Sequence, residues 1–71
     1  MFDAQSIGEK VYRIRKTELH KSQEQFADMI GTSKDTVSNI ERSEVIPRTK
    51  TLAKLAKATN KTVDFFLSEE E

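Results

Sequence analysis

Apolar residues recur along this chain at helical spacing. Ile7, Val11 and Ile14 fall at steps of four and three, Leu19 continues the series, and charged residues lie between them. That is the pattern of an amphipathic helix with one buried stripe. Ser6 followed by Glu9 predicts a capping box that starts this first helix. A second capping box, Ser22 with Gln25, opens a helix carrying Phe26, Ala27, Met29 and Ile30. Gly31 ends it, being able to turn left-handed without steric cost. Ser33 caps a third helix, Lys34 to about Arg42, whose apolar positions are Val37 and Ile40. A loop over Ser43 to Arg48 follows, in which Pro47 holds Ile46 extended. A fourth helix is predicted over Thr49 to Thr59, with Leu52, Ala53, Leu55 and Ala56 inward and Asn60 as its C-terminal cap. Thr62 caps a short fifth segment, Val63 to Leu67. With only two glycines and one proline there are no hairpin signals. The expected fold is all-α: a compact five-helix domain spanning 1–71, with a solvated acidic tail over 68–71.

Composition narrows the chemistry. A chain of 71 residues that is 35% hydrophobic can bury a small core. It is too short to build the deep cleft most enzymes use. The absence of cysteine removes disulfides, thiolate metal sites and cysteine nucleophiles, and fits a reducing cytoplasm. His20 is the one histidine and cannot form a zinc site alone. No catalytic residue, metal or cofactor is therefore assigned, and an enzyme is not expected. Met1 to Ser6 carries an aspartate and no basic residue, and no apolar run approaches the roughly 18 residues of a spanning helix. The expectation is a cytoplasmic protein with no membrane partner.

The informative stretch is Ser22 to Arg42: two short helices joined by a tight turn containing glycine, which is a helix-turn-helix. Ala27 is small where the helices would cross, and Val37 and Ile40 anchor the second helix to the core. That leaves Lys34, Asp35, Ser38, Asn39 and Arg42 facing outward, a short polar and basic face suited to base edges in a major groove. A small helical bundle with a polar surface fits the same spacing, so residue identities must decide. Those identities are Ser22-Gln23-Glu24, Phe26-Ala27, Ile30-Gly31-Thr32-Ser33, Val37-Ser38-Asn39-Ile40-Glu41-Arg42, Pro47, and Leu52 through Ala58. With them, about Ile7 to Leu67 resembles the Cro and lambda-repressor-like helix-turn-helix family, which includes restriction-modification controllers and small bacterial and phage regulators. Three positions depart from the family pattern. Ser43 stands where a glycine usually follows the Glu-Arg pair, which predicts a looser end to helix three. The stretch from Arg15 to Ser22 is one residue longer than usual. Arg48 replaces the usual small cap residue after the proline.

The resemblance implies a sequence-specific double-stranded DNA-binding regulator of transcription, most simply a repressor acting as a homodimer on a palindromic operator. It implies base contacts from Lys34, Asp35, Thr36, Ser38 and Asn39. Lys34 suits guanine and Asn39 adenine, while Asp35 equally fits a first-turn acid stabilising the helix dipole. Phosphate contacts are expected from Ser22, Gln23, Ser33, Arg42, Arg48 and Lys50, the glutamine also bracing a residue of the recognition helix. Glu41 is expected to pair internally with Arg15, or with Lys16 if the longer turn shifts the register. Val63, Phe65, Phe66 and Leu67 are the expected dimer contacts, with the Val45-Ile46 loop as a further apolar surface. RNA polymerase is a possible partner if the protein activates. The competing readings are an antitoxin that binds a toxin and represses its own promoter, and a protein-interaction module without DNA.

Charge is the one feature that opposes this reading, since 12 basic and 12 acidic residues cancel. Its distribution reverses the objection. Lys34 to Lys57 holds six basic residues against three acidic ones, and without the final three glutamates 12 basic residues stand against 9 acidic, a net charge of +3. Nonspecific affinity is expected to be modest, with greater dependence on dimerisation and matched base contacts.

Overall fold

The apolar stripe of the first helix forms as its spacing requires, but the start of the helix differs from expectation. The computed structural model describes residues 4–68. Helix α1 (Ala4–Arg13) already runs through Ser6, so the Ser6–Glu9 capping box does not form. A capping residue needs extended backbone just outside the helix, and Ser6 lies inside it. Its hydroxyl instead donates to the Ser68 carbonyl at 3.3 Å. At the other end the helix continues as a π turn, Ile14–Leu19, closed by His20 in the left-handed conformation at φ 55°. A π turn holds one residue more per hydrogen-bonded ring than an α turn. It carries the chain from Arg13 to His20, and Ile7, Val11 and Ile14 are all buried.

The remaining elements are α2 (Gln23–Ile30), α3 (Lys34–Glu41), α4 (Thr49–Thr59) and α5 (Val63–Leu67), and no strand occurs among the described residues. Their caps match the sequence chemistry. Ser22 and Gln25 exchange both capping-box bonds, at 2.9 and 3.0 Å. Gly31 and Asn60 turn left-handed at φ 73° and 60°. Ser33 and Thr62 accept from the amides of Thr36 and Phe65. On α4 the buried stripe is Leu52, Leu55, Ala56 and Thr59. Ala53 is exposed, a correction to the expected inner face: Thr59 takes its place, its hydroxyl satisfied by the Leu55 carbonyl at 2.7 Å. The core closes around Phe26 and Phe66, both 0% exposed, with Val37 and Ile40 anchoring α3.

Two α1 residues decide how the outer helices sit. Lys10 lies in the apolar stripe and is only 2% exposed. Its ammonium donates to the Phe65 carbonyl at 2.8 Å and also to the Ser68 carbonyl, and lies 5.2 Å from the Phe65 ring centre. A cation at a helix C-terminus satisfies orphan carbonyls and meets the negative end of the dipole, so Lys10 holds α5 to α1. Ser68 is thus held rather than solvated, and residues 69–71 of the expected acidic tail lie outside the described residues. The second residue is Gly8, where α1 crosses the C-terminal end of α3. A Cβ there would stand 2.4 Å from the Ile40 carbonyl oxygen and 3.1 Å from that of Glu41.

The end of α3 also settles the Ser43 question. The turn is not looser: Ser43 adopts φ 64°, its amide donates to the Ile40 carbonyl, and that of Glu44 donates to Asn39 at 3.0 Å. A serine in this region carries the steric cost that glycine avoids. Ser43→Gly is therefore expected to stabilise the fold by about 0.5–1 kcal/mol, net of the entropy glycine adds to the unfolded chain. Thermal unfolding checks this; an unchanged or lowered midpoint would mean that the serine is not strained.

Candidate nucleic-acid interface

The face that α3 turns outward is set by what lies behind it. Val37 and Ile40 are 0% and 1% exposed. Lys34 and Asp35 on the first turn are exposed, while Thr36, Ser38 and Asn39 are half-buried. The structure thus presents Lys34, Asp35, Ser38 and Asn39 on one helix. Thr36 is more constrained, its hydroxyl lying 2.9 Å from that of Ser33, which also caps the helix.

The inner edge of this face is an ion-pair network. Glu41 accepts from Arg15 Nε at 2.7 Å and Arg15 Nη2 at 3.0 Å, a two-point contact, and from Gln23 Nε2 at 3.0 Å. Arg15 Nη1 donates to the Lys21 carbonyl at 2.8 Å, and its guanidinium lies 5.4 Å from the Tyr12 ring centre. The Arg15 and Glu41 side chains are 7% and 5% exposed. The hydrogen bond to Glu41 raises the Arg15 pKa above its ordinary value, with desolvation opposing and the Glu41 charge adding to the rise. Lys16, the alternative partner, is exposed. Gln23 therefore does brace a recognition-helix residue, joining the start of α2 to the end of α3. Neither capping rules nor apolar spacing pointed to this use of Gln23; the resemblance did.

At the outer edge Arg42 Nη2 donates to Asn39 Oδ1 at 2.9 Å and reaches Glu44 Oε1 at 3.4 Å. Asn39 and Arg42 carry separate expected roles, and Glu44 carries none. The spacing of three from Asn39 to Arg42, the C-cap of α3, is the available signal. Ser22, Gln23 and Ser33 lie in the first turns or caps of α2 and α3, where helix amides point outward.

Arg48 and Lys50 at the start of α4 are exposed, and Arg48 occupies the N-cap without a side-chain capping bond. Arg48→Ser should therefore raise stability by about 1 kcal/mol. If Arg48 contacts phosphate, the same change weakens DNA binding and lowers its salt dependence. Urea unfolding and a salt titration on one preparation read both effects. A stabilised variant with unaltered salt slope removes Arg48 from the interface.

One expected contact is corrected: Phe66 is fully buried in its own chain and offers no surface to a second copy. Val63, Phe65 and Leu67 are half-buried, and Phe65 stands edge-on to Phe66 at 5.2 Å with the Lys61 ammonium 5.3 Å from its ring. Val45 and Ile46 are 43% and 47% exposed. His20 lies at the close of the π turn, exposed. No described helix is long and apolar enough to cross a membrane.

Two helices joined through a left-handed glycine, the second held from behind by Val37, Ile40 and Glu41, make this a helix-turn-helix protein of the DNA-binding class. A helix-turn-helix family profile matches residues 11–66. Among solved structures the chain is similar to the P22 c2 repressor, crystallised in complex with a synthetic operator in the presence of Tl+. The two share 33% identity over 90% of this chain and 96% of that one, with a TM-score of 0.83. No curated protein matches the sequence. The chain belongs to the Cro/lambda-repressor-like helix-turn-helix family, a family of DNA-binding transcription regulators.

Proposed function

We propose that this protein is a sequence-specific repressor that binds a palindromic double-stranded operator as a homodimer. The observation that carries this reading is the outward face of α3, in which Lys34, Asp35, Ser38 and Asn39 stand on a helix anchored by buried Val37 and Ile40. Similarity to a repressor bound to a synthetic operator supports it. Lys34 and Asn39 read base edges, with Asp35, Thr36 and Ser38 beside them, while Ser22, Gln23, Ser33, Arg42, Arg48 and Lys50 meet the phosphates on either side. One recognition helix reads too few base pairs to discriminate in a genome, and two-fold symmetry doubles the site by placing two such helices about 34 Å apart. The exposed parts of Val63, Phe65 and Leu67, with Val45 and Ile46, supply apolar surface for the second copy. The operator lies in the cytoplasm, and repression follows from occlusion of the promoter, which needs no effector pocket.

Selection from random duplexes tests the reading. An enriched site with two related half-sites is expected, bound by two chains per duplex in sedimentation. Failure to enrich any sequence would overturn sequence-specific binding, and one chain per duplex would overturn the homodimer. Asn39→Ala should weaken the selected site by about tenfold and leave nonspecific binding largely intact. Arg42→Ala should weaken both and lower the salt slope by about one. An Arg42→Ala variant with unchanged affinity and slope removes its phosphate role.

A further inference from the structure

A cation that only meets phosphate can point anywhere along a backbone, but Arg42 is held at two points within its own chain. Its Nη2 donates to Asn39 Oδ1 at 2.9 Å and to Glu44 Oε1 at 3.4 Å. A guanidinium has donors and no acceptor. The oxygen of the Asn39 amide must therefore face Arg42, and the amide nitrogen must face away. Recognition of adenine by asparagine requires an oxygen and a nitrogen in one fixed order, accepting from N6 and donating to N7. An amide with no donor-only neighbour can present either order; beside Arg42 it presents one. The oxygen keeps a second lone pair for the base, so the internal bond and base recognition are compatible.

Backbone geometry explains why Glu44 takes part. Ser43 at φ 64° reverses the chain, and the Glu44 amide donates to the Asn39 carbonyl at 3.0 Å. The Glu44 carboxylate is thereby brought back beside Arg42. A carboxylate next to a DNA-facing arginine weakens nonspecific attraction to phosphate, so its presence calls for another use.

We propose that Glu44 and Arg42 are a positioning pair that fixes the Asn39 amide, so that Arg42 governs the base preference at the pair Asn39 reads while Glu44 restrains Arg42 from indiscriminate phosphate contact. This rests on the reading of Asn39 as a base contact. The Arg42 and Glu44 side chains are 60% and 56% exposed, so solvent screens their attraction. The effect therefore lies in discrimination more than in overall affinity.

The experiment uses the full chain, the selected duplex, and duplexes carrying each other base pair at the position whose preference Asn39→Ala abolishes, all over a salt series. Arg42→Lys keeps the charge but replaces a planar fork with a mobile point cation. It is expected to keep the wild-type salt slope and lose about threefold to tenfold of the discrimination at that position only. Glu44→Ala should tighten nonspecific binding and lose discrimination to a similar extent. Glu44→Gln removes the charge but retains an oxygen acceptor for Arg42, so it should tighten nonspecific binding while discrimination survives. A Glu44 that acted through charge alone would make Ala and Gln equivalent, which would overturn the proposal. So would wild-type preference in both Arg42→Lys and Glu44→Ala. If the wild type enriches no site, or Asn39→Ala alters no position, the reading of α3 itself fails and takes the positioning pair with it.

Discussion

Arg15→Met is expected to lower stability by about 3–5 kcal/mol, and adding Glu41→Leu is expected to return most of that loss. The single change leaves a carboxylate that is 5% exposed with Gln23 as its one remaining side-chain donor. A domain of 71 residues holds roughly 4–10 kcal/mol in total, so the single variant should be largely unfolded on modest warming. The double variant removes both charges together and substitutes apolar volume, which costs little or even stabilises. Urea unfolding of both variants decides between mechanisms. A double variant as unstable as the single would trace the loss to packing around Arg15, not to a stranded carboxylate. The pH dependence agrees in sign. Because Glu41 raises the Arg15 pKa, that contribution is complete below the ordinary guanidinium value and is lost only as pH rises past the elevated one. No titration near neutrality reveals it, and substitution does.

If apolar residues can replace the pair, its use is positional. Arg15 belongs to the π turn, Gln23 to the start of α2 and Glu41 to the end of α3, and the network ties all three. The double variant is therefore expected to fold yet discriminate less between operator and random DNA. Retained wild-type discrimination would deny the network that role.

The parts of this molecule legible in the sequence are those governed by local chemistry. Ser22 with Gln25, Gly31, Ser33, Asn60 and Thr62 place helix ends through bonds made within a few residues, and each end falls where those residues predict. Ser6 with Glu9 carried the same signal and failed, because nothing local marks whether a helix has already begun upstream. The outward face of α3 was legible because Val37 and Ile40 define its opposite. Contacts between distant segments were not. Lys10 to Phe65 spans 55 residues, and its signal was a cation inside an apolar stripe, between Ile7 and Ile14, where none belongs. The π turn left no mark in the apolar spacing, since Leu19 continues the stripe through an α turn or a π turn alike. Glu44 gave no signal at all, since its position depends on the φ of Ser43.

Gly8→Ala is the second large effect, and the one with no sequence signal beyond a glycine inside a helix. Alanine normally favours a helix interior by about 1 kcal/mol over glycine, so propensity alone predicts stabilisation. The contacts predict the opposite. The new methyl would stand 2.4 Å from the Ile40 oxygen and 3.1 Å from the Glu41 oxygen, both main-chain atoms at the end of α3, and 3.1 Å from Ser43 Oγ. A side-chain atom can rotate aside, but a helix carbonyl moves only with its helix. Overpacking of this kind costs about 3 kcal/mol at the upper end of its usual range, leaving a net loss near 2 kcal/mol after the propensity gain. The displacement falls where α3 carries Asn39 and Glu41 and ends on Arg42, so operator affinity should drop further than the loss of folded protein explains. Ser43→Gly in the same chain removes the hydroxyl contact and the left-handed strain but neither carbonyl clash, so rescue should be partial. Unfolding curves for Gly8→Ala, Ser43→Gly and the pair measure this directly. A Gly8→Ala variant as stable as the wild type would show that α1 and the end of α3 can separate, and that the close crossing at Gly8 does not set the pose of the recognition helix.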